Sequence, residues 1–421
     1  MAEFEETKKT RKGWKIALIS LVTLGIVGGI GVITAPSWMP DGLLPVSSQT
    51  QSTSPQTTTS ATPEPTAAAI PATIALTPAT GTEFVNPVGE ITAVISNGTV
   101  SHAVLKESET GAVLDGELSV GKDSWKPTTP LKFNTAYTFD VTAVDTEGFK
   151  SNQVSTFTTV PASHEADAVM FPNDGDTVGV AQPLQFVFSE PVVNKEAVEQ
   201  AIKITTSAGQ QGSFRWYSDT LVRYRAADFW PANSTINVDM QLLGMDLGNG
   251  MIANFNKNYN VNIGNKTVME ADAGAHVVNI YVNDVLTKTF PATLGDEAFP
   301  SASGYMVLTN DKQRYATFKA ASIGLKPGDP GDYGSVDVEY ATRLSYSGIF
   351  IHQATPSAMP YLGAANLSHG CIGLSAEGAG WVFENMGAGD LVHTVNTPNE
   401  TIAPTDGFGD WNIPYEQYAS R

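Results

Sequence analysis

The chain has 421 residues, 42% apolar and 16% charged, with a formal net charge of −19. This acidity argues against nucleic acid and anionic lipid faces as partners, since both demand clustered Lys and Arg. The single cysteine, Cys371, excludes an intramolecular disulfide and any zinc site built on several thiolates, and the six histidines lack a metal-ligand spacing.

The first 15 residues are basic, with five Lys/Arg against three acids. Residues 16–35, "IALISLVTLGIVGGIGVITA", carry no charge. As a helix they would span a ~30 Å hydrocarbon core. Trp14 and Trp38 flank the stretch, and the Lys/Arg cluster marks the inner side. These features predict a transmembrane anchor; the alternative is a signal peptide cut after "ITA". Either reading places residues 40–421 outside the cytoplasm, and the anchor reading holds them at the plasma membrane by a single pass. Residues 36–70 are rich in Ser, Thr and Pro and predict a disordered spacer. At ~3.1 Å per residue, its Ser/Thr/Pro stretch reaches roughly 75 Å.

Residues 71–162 alternate apolar and polar residues in short runs such as "EITAVIS" and "YTFDVTAVD", separated by turn residues. This predicts about seven strands in an immunoglobulin-like sandwich, with Trp125, Leu131 and Tyr137 as core anchors. Residues 163–264 repeat the plan: "TLVRYRAADFWPANSTINVDM" mirrors "SWKPTTPLKFNTAYTFDV". "AVEQAIKIT" reads as one short helix, and His102 and His164 read as surface residues. Residues 265–398 form a third, β-rich module, with a helix at 375–386 and a closing strand at 390–395. The tail, residues 399–421, carries Trp411, Ile413, Tyr415 and Tyr418. It is too apolar to be free and is expected to pack back, on the catalytic module in particular. The expected class is mainly β, with two sandwiches, a β-rich third domain and an N-terminal transmembrane helix.

The chemistry concentrates in the third module. "FIHQ" holds His352, a loop follows at 353–367, and "SHGC" holds His369 and Cys371. A thiol is a good nucleophile only as thiolate, and a neighbouring imidazole supplies that activation. His352 ends an apolar strand, which predicts a place at a sheet edge. The loop is expected to fold over the site as a flap. Gly370 lets backbone amides, that of Cys371 included, approach a substrate carbonyl as an oxyanion hole. A helix starting after Cys371 would further favour thiolate. A buried, inert cysteine remains the alternative.

The stretch "IHQATPSAMPYLGAANLSHGCIG" resembles the signature of L,D-transpeptidases with a YkuD-type catalytic domain. The order of modules resembles the actinobacterial members, including a tail similar to "DGFGDWNIPYEQY". The resemblance covers residues 71–421 and is strongest over 340–418. It implies Cys371 as nucleophile, His352 as its activator and His369 as the second histidine beside it. Gln353 lies where a backbone carbonyl orients the ring, and Ser368 and Gly370 complete the motif. Ser347 and Gly348 match a substrate-contacting stretch, and Tyr333 matches an aromatic lining the pocket. Phe318 stands where some relatives have Met. One position departs: the pattern ends in Asn, but here it is Gly373, so an amide that could fix the oxyanion is missing.

The implied reaction takes a tetrapeptide stem of peptidoglycan as donor, forms a thioester on Cys371 and passes the acyl group to an amine on a neighbouring stem. The product is a 3→3 cross-link. It uses no metal or cofactor, and carbapenem-type β-lactams are implied to trap the same thiol. Three rivals stand beside it: an L,D-carboxypeptidase, a sortase-like attachment enzyme, and a wall-binding scaffold whose catalytic site has decayed.

Overall fold

The computed structural model describes residues 70–420. The basic segment, the proposed anchor at 16–35 and nearly all of the spacer lie outside the described residues. Among the described residues, no helix is long and apolar enough to cross a membrane.

The first sandwich pairs two four-stranded sheets, eight strands against the seven expected. Strand Ala136–Asp145 shows why it folds this way. Every second residue, Tyr137, Phe139, Val141 and Ala143, points inward and is wholly buried. Each fully buried aromatic of this kind stabilises by ~1.5–3 kcal/mol over its exposed state. Trp125 and Leu131 join the same core. The Tyr137 hydroxyl accepts the Lys132 N–H at 3.0 Å, fixing the turn before its own strand. His102 is exposed; His164 is half-buried, its ring edge-on to Phe84 at 5.0 Å.

The second module again pairs two four-stranded sheets. Only Lys195–Ala201 of the expected helical stretch is helix; Ile202–Thr206 continues as a strand. The β-branched run "IKITT" favours extended backbone and pairs with Thr235–Gln241. Trp230 anchors the core at 2% exposure and donates its indole N–H to the Gln182 carbonyl.

The third module is a nine-stranded mixed sheet. Its central order is Val285–Thr293, Ile372–Leu374, Phe350–Gln353, Ser335–Arg343 and then Lys312–Lys319 at one edge. His352 therefore lies on an interior strand and not at a sheet edge. The parallel neighbour that covers its strand is supplied by the residues just after Cys371. The helix falls where expected, at Ala376–Asn385, capped by Ser375 Oγ accepting the Gly378 N–H, and strand Ile372–Leu374 separates it from Cys371. Its N-terminus is thus not on Cys371.

The tail packs on both the second sandwich and the third module. Arg223 and Asp410 form an ion pair of 2.6 Å at 1% and 0% exposure. Trp411 donates to the Ala181 carbonyl, and Asn412 bonds the backbone of Tyr305 in the catalytic sheet. The Gly179 and Ala181 amides donate to the Ala388 and Gly389 carbonyls, so the two modules meet backbone to backbone.

Candidate active site

Strands Phe350–Gln353 and Ile372–Leu374 run parallel, with His352 opposite Gly373. Side-by-side residues in a sheet point to the same face, and side chains alternate along each strand. Cys371, two residues before Gly373, therefore shares the face of His352. Ile351 and Ile372 point to the other face and are wholly buried in the main core. Gly373, which has no side chain, lies beside the imidazole on this face. A cleft of about 300 Å³ results, lined by both Cys371 and His352. Its walls include Phe318, Tyr333, Val336, Thr293, Ala354, Leu367, Ser368 and His369. The loop after His352 contributes Thr355, Ser357 and Ala358. That loop is pinned at its far end: Asn366 Oδ1 accepts the Leu294 N–H, and its Nδ2 donates to the Ala273 carbonyl.

His352 Nδ1 lies 2.7 Å from the Gln353 carbonyl. A carbonyl only accepts, so Nδ1 carries the proton and the other nitrogen is left as the acceptor. The ring is buried and edge-on to Phe318 at 5.3 Å. Burial holds its pKa below the ordinary value, against a smaller opposing effect of the Gln353 bond. Cys371 packs with Phe318, Val336 and Phe350 while keeping part of its surface on the cleft. This apolar setting pushes its thiol up to about 11, partly offset by the Phe350 backbone. Near pH 7 both groups are neutral.

The segment before the thiol is held by serines. Ser368 Oγ donates to the Cys371 carbonyl at 2.6 Å and accepts the Gly370 N–H at 3.2 Å. Ser301 Oγ donates to the Gly370 carbonyl at 2.9 Å. Gly370 has φ +111°, a region closed to side chains, which lets the chain turn into strand Ile372–Leu374. His369 faces away from this turn. Its Nε2 is 2.7 Å from the Gly331 carbonyl, with Phe299 and Tyr333 rings 4.6 and 5.0 Å from its own. It ties the 324–334 loop to the cleft mouth.

The family profile for the L,D-transpeptidase catalytic domain matches residues 266–394. A bacterial Ig domain profile matches residues 82–246, running across both sandwiches. The chain is 33% identical over 316 residues to L,D-transpeptidase 2 of Mycobacterium tuberculosis, covering 75% of this chain and 76% of that protein. This chain belongs to the L,D-transpeptidase family. It is also 27% identical to L,D-transpeptidase 5 of the same species, over 82% of this chain and 75% of that protein. A solved L,D-transpeptidase in complex with imipenem aligns at 29% identity over 54% of this chain and 97% of its own, with a TM-score of 0.48.

Of the residues singled out in the sequence, Cys371, His352, His369, Tyr333, Phe318, Ser368 and Gly373 line the cleft. Gln353 acts through its carbonyl, and Gly370 through its backbone turn. Gly348 offers its carbonyl to the Cys371 thiol at 3.7 Å. Ser347 is turned elsewhere, bonded to Asp406 of the tail. At Gly373, an added Cβ would lie 2.8 Å from Thr293 Cγ2, so the threonine methyl fills the place beside it. Thr293 Oγ1 is occupied, accepting the Leu367 N–H at 2.9 Å. Thr293, Ser301, Phe299 and Asp406 escaped the sequence reading. None carries a local motif; each reaches the site from a strand or loop distant in sequence.

Proposed function

We propose that this protein is a peptidoglycan L,D-transpeptidase that forms 3→3 cross-links through a thioester on Cys371. The observation that carries this reading is the pairing of Cys371 and His352 on one sheet face, with Nδ1 committed to the Gln353 carbonyl. The family membership supports the acyl-transfer class.

The donor carbonyl, that of the diamino acid in a tetrapeptide stem, sits against Cys371. Because thiol and imidazole both start neutral, proton transfer accompanies attack. His352 Nε2 takes the thiol proton as sulfur bonds to the carbonyl carbon. The Cys371 backbone amide holds the oxyanion, while the Gly370 N–H stays on Ser368 Oγ and fixes the turn. The imidazolium returns the proton to the D-Ala nitrogen as the C–N bond breaks, leaving the acyl thioester. The side-chain amine of a second stem then bonds to the same carbon and yields its proton to His352. The C–S bond breaks and sulfur recovers that proton. Phe318, Val336 and Leu367 shield the thioester from water, which favours transfer over hydrolysis. The same reading puts the catalytic part outside the plasma membrane, tethered by residues 16–35.

Incubating the full chain with disaccharide-tetrapeptide and separating the products by mass tests this. Dimers linked 3→3 with release of D-Ala are expected. Tripeptide without dimer would instead establish an L,D-carboxypeptidase, and unchanged substrate would defeat both.

A further inference from the structure

We propose that Asp406, in the tail beyond the matched catalytic profile, is a positioning residue for the Cys371 nucleophile, acting through Ser347 and the Gly348 carbonyl. The proposal rests on the reading of Cys371 as the nucleophile. The Asp406 carboxylate grips Ser347 twice: Oδ1 accepts its backbone N–H at 2.6 Å, and Oδ2 accepts its hydroxyl at 2.5 Å. Such charge-assisted bonds are roughly twice as strong as neutral ones. The Ser347 hydroxyl also lies 2.9 Å from Ser345 Oγ, which accepts the Ile349 N–H at 3.1 Å. The next residue, Gly348, has φ +114°, a conformation reserved for glycine. Its carbonyl direction is therefore set by this turn and not by a strand ladder. That carbonyl is the one that accepts the Cys371 S–H.

Asp406 is itself held from the second sandwich. Arg223 donates to the carbonyls of Pro404 and Gly407, on either side of it, at 2.7 and 2.8 Å. Gly407 backs so closely onto the turn that an added Cβ would come within 2.5 Å of the Leu344 carbonyl. The tail segment is thus wedged between a buried arginine and the turn that aims at the sulfur. Arg223 thus holds the backbone on both sides of Asp406, Asp406 holds Ser347, and the adjoining Gly348 carbonyl meets the Cys371 thiol.

The expected signs follow from the chemistry. A carbonyl accepting S–H favours the neutral thiol and fixes its aim. Among the described residues, the titratable groups lining the cleft with Cys371 are His352, His369 and Tyr333, and no Asp, Glu, Lys or Arg lines it. Releasing the Gly348 carbonyl removes a bond to the neutral thiol, so thiolate forms at lower pH. It also loosens the sulfur, and misplacement of a reacting atom by about 1 Å can cost ~10² in rate.

The test uses the full chain as wild type, Asp406→Ala, Asp406→Asn and Ser347→Ala. Two quantities are read by intact mass: Cys371 alkylation by iodoacetamide against pH, and Cys371 acylation by imipenem against concentration. Asp406→Ala is expected to move the alkylation profile to lower pH. It is also expected to lower the limiting acylation rate by about 10-fold without changing the half-saturating concentration. Asp406→Asn retains an acceptor for the Ser347 N–H and should restore part of both effects. Ser347→Ala, at an exposed position, should fall between wild type and Asp406→Ala; it decides the matter if Asp406→Ala does not fold. Profiles of Ser347→Ala and Asp406→Ala that superimpose on wild type would overturn the proposal. If wild-type Cys371 alkylates but never acylates, the transpeptidase reading fails, while the pH shift still judges the positioning.

Discussion

At the junction of the tail with the second sandwich, Arg223, Arg225 and Asp410 are at most 1% exposed, and aromatic rings of Phe408, Trp411 and Tyr418 stack on the two guanidinium groups. In the candidate cleft no charged side chain among the described residues lines the walls, and Cys371 and His352 are both neutral near pH 7. The junction uses buried charge, matched by carbonyls and a carboxylate, to lock the register of modules. The cleft uses backbone carbonyls and hydroxyls to hold its imidazole, its thiol and the turn before that thiol. Under the proposed acyl transfer, a fixed charge beside Cys371 would commit it to one protonation state, whereas the reaction needs both.

The comparison can be broken most severely at the sulfur. Cys371→Ala should abolish acyl transfer, a loss above ~10⁴-fold, with only a small drop in thermal stability because a single sulfur atom, partly open to the cleft, is removed. Detectable cross-linking by this variant in a mass assay would remove the cleft's role. His352→Ala should lower transfer by ~10²–10⁴-fold while leaving Cys371 open to alkylation at high pH; equal activity would mean that another base serves.

On the junction side, Asp410→Ala strands Arg223 in the interior and should cost ~3–5 kcal/mol, read by denaturant unfolding. A cost below 1 kcal/mol would mean that the pair behaves like an exposed one. Returning to the cleft, Gly373→Asn must displace the Thr293 methyl and should cost ~1–3 kcal/mol. Thr293→Ala beside it should recover most of that loss; no recovery would place the strain elsewhere. The smallest effect is kinetic: wild-type alkylation should climb through pH 7–9, about tenfold per unit, because thiolate is scarce below a pKa near 11. A plateau by pH 8 would show that the thiol is already ionised.

Much of the cleft was legible because its parts are close in sequence. His352, the Gln353 carbonyl and the Ser368–Cys371 turn fall within one 20-residue window, and the fold brings His352, Ser368 and Cys371 to one cleft. One inference from local pattern was wrong for a non-local reason. "YSGIFIH" reads as a strand ending at an edge, but its covering neighbour, Ile372–Leu374, arrives only after the 353–367 loop. The same three residues stand between Cys371 and the helix, which begins at Ala376 within the expected 375–386. The tail's aromatics signalled packing, yet nothing local in "TDGFGDW" says that Asp406 grips Ser347, 59 residues earlier. The sandwiches were the easiest to read, since strict alternation along strands such as Ala136–Asp145 encodes a buried face directly.

Intact-mass analysis of the full chain after incubation with a carbapenem at pH 7, followed by peptide mapping, tests the central claim most directly. A single covalent adduct on the peptide containing Cys371, formed by wild type, slowed in His352→Ala and absent from Cys371→Ala, is the predicted result. An unmodified wild-type mass, or an adduct that persists without Cys371, would contradict it.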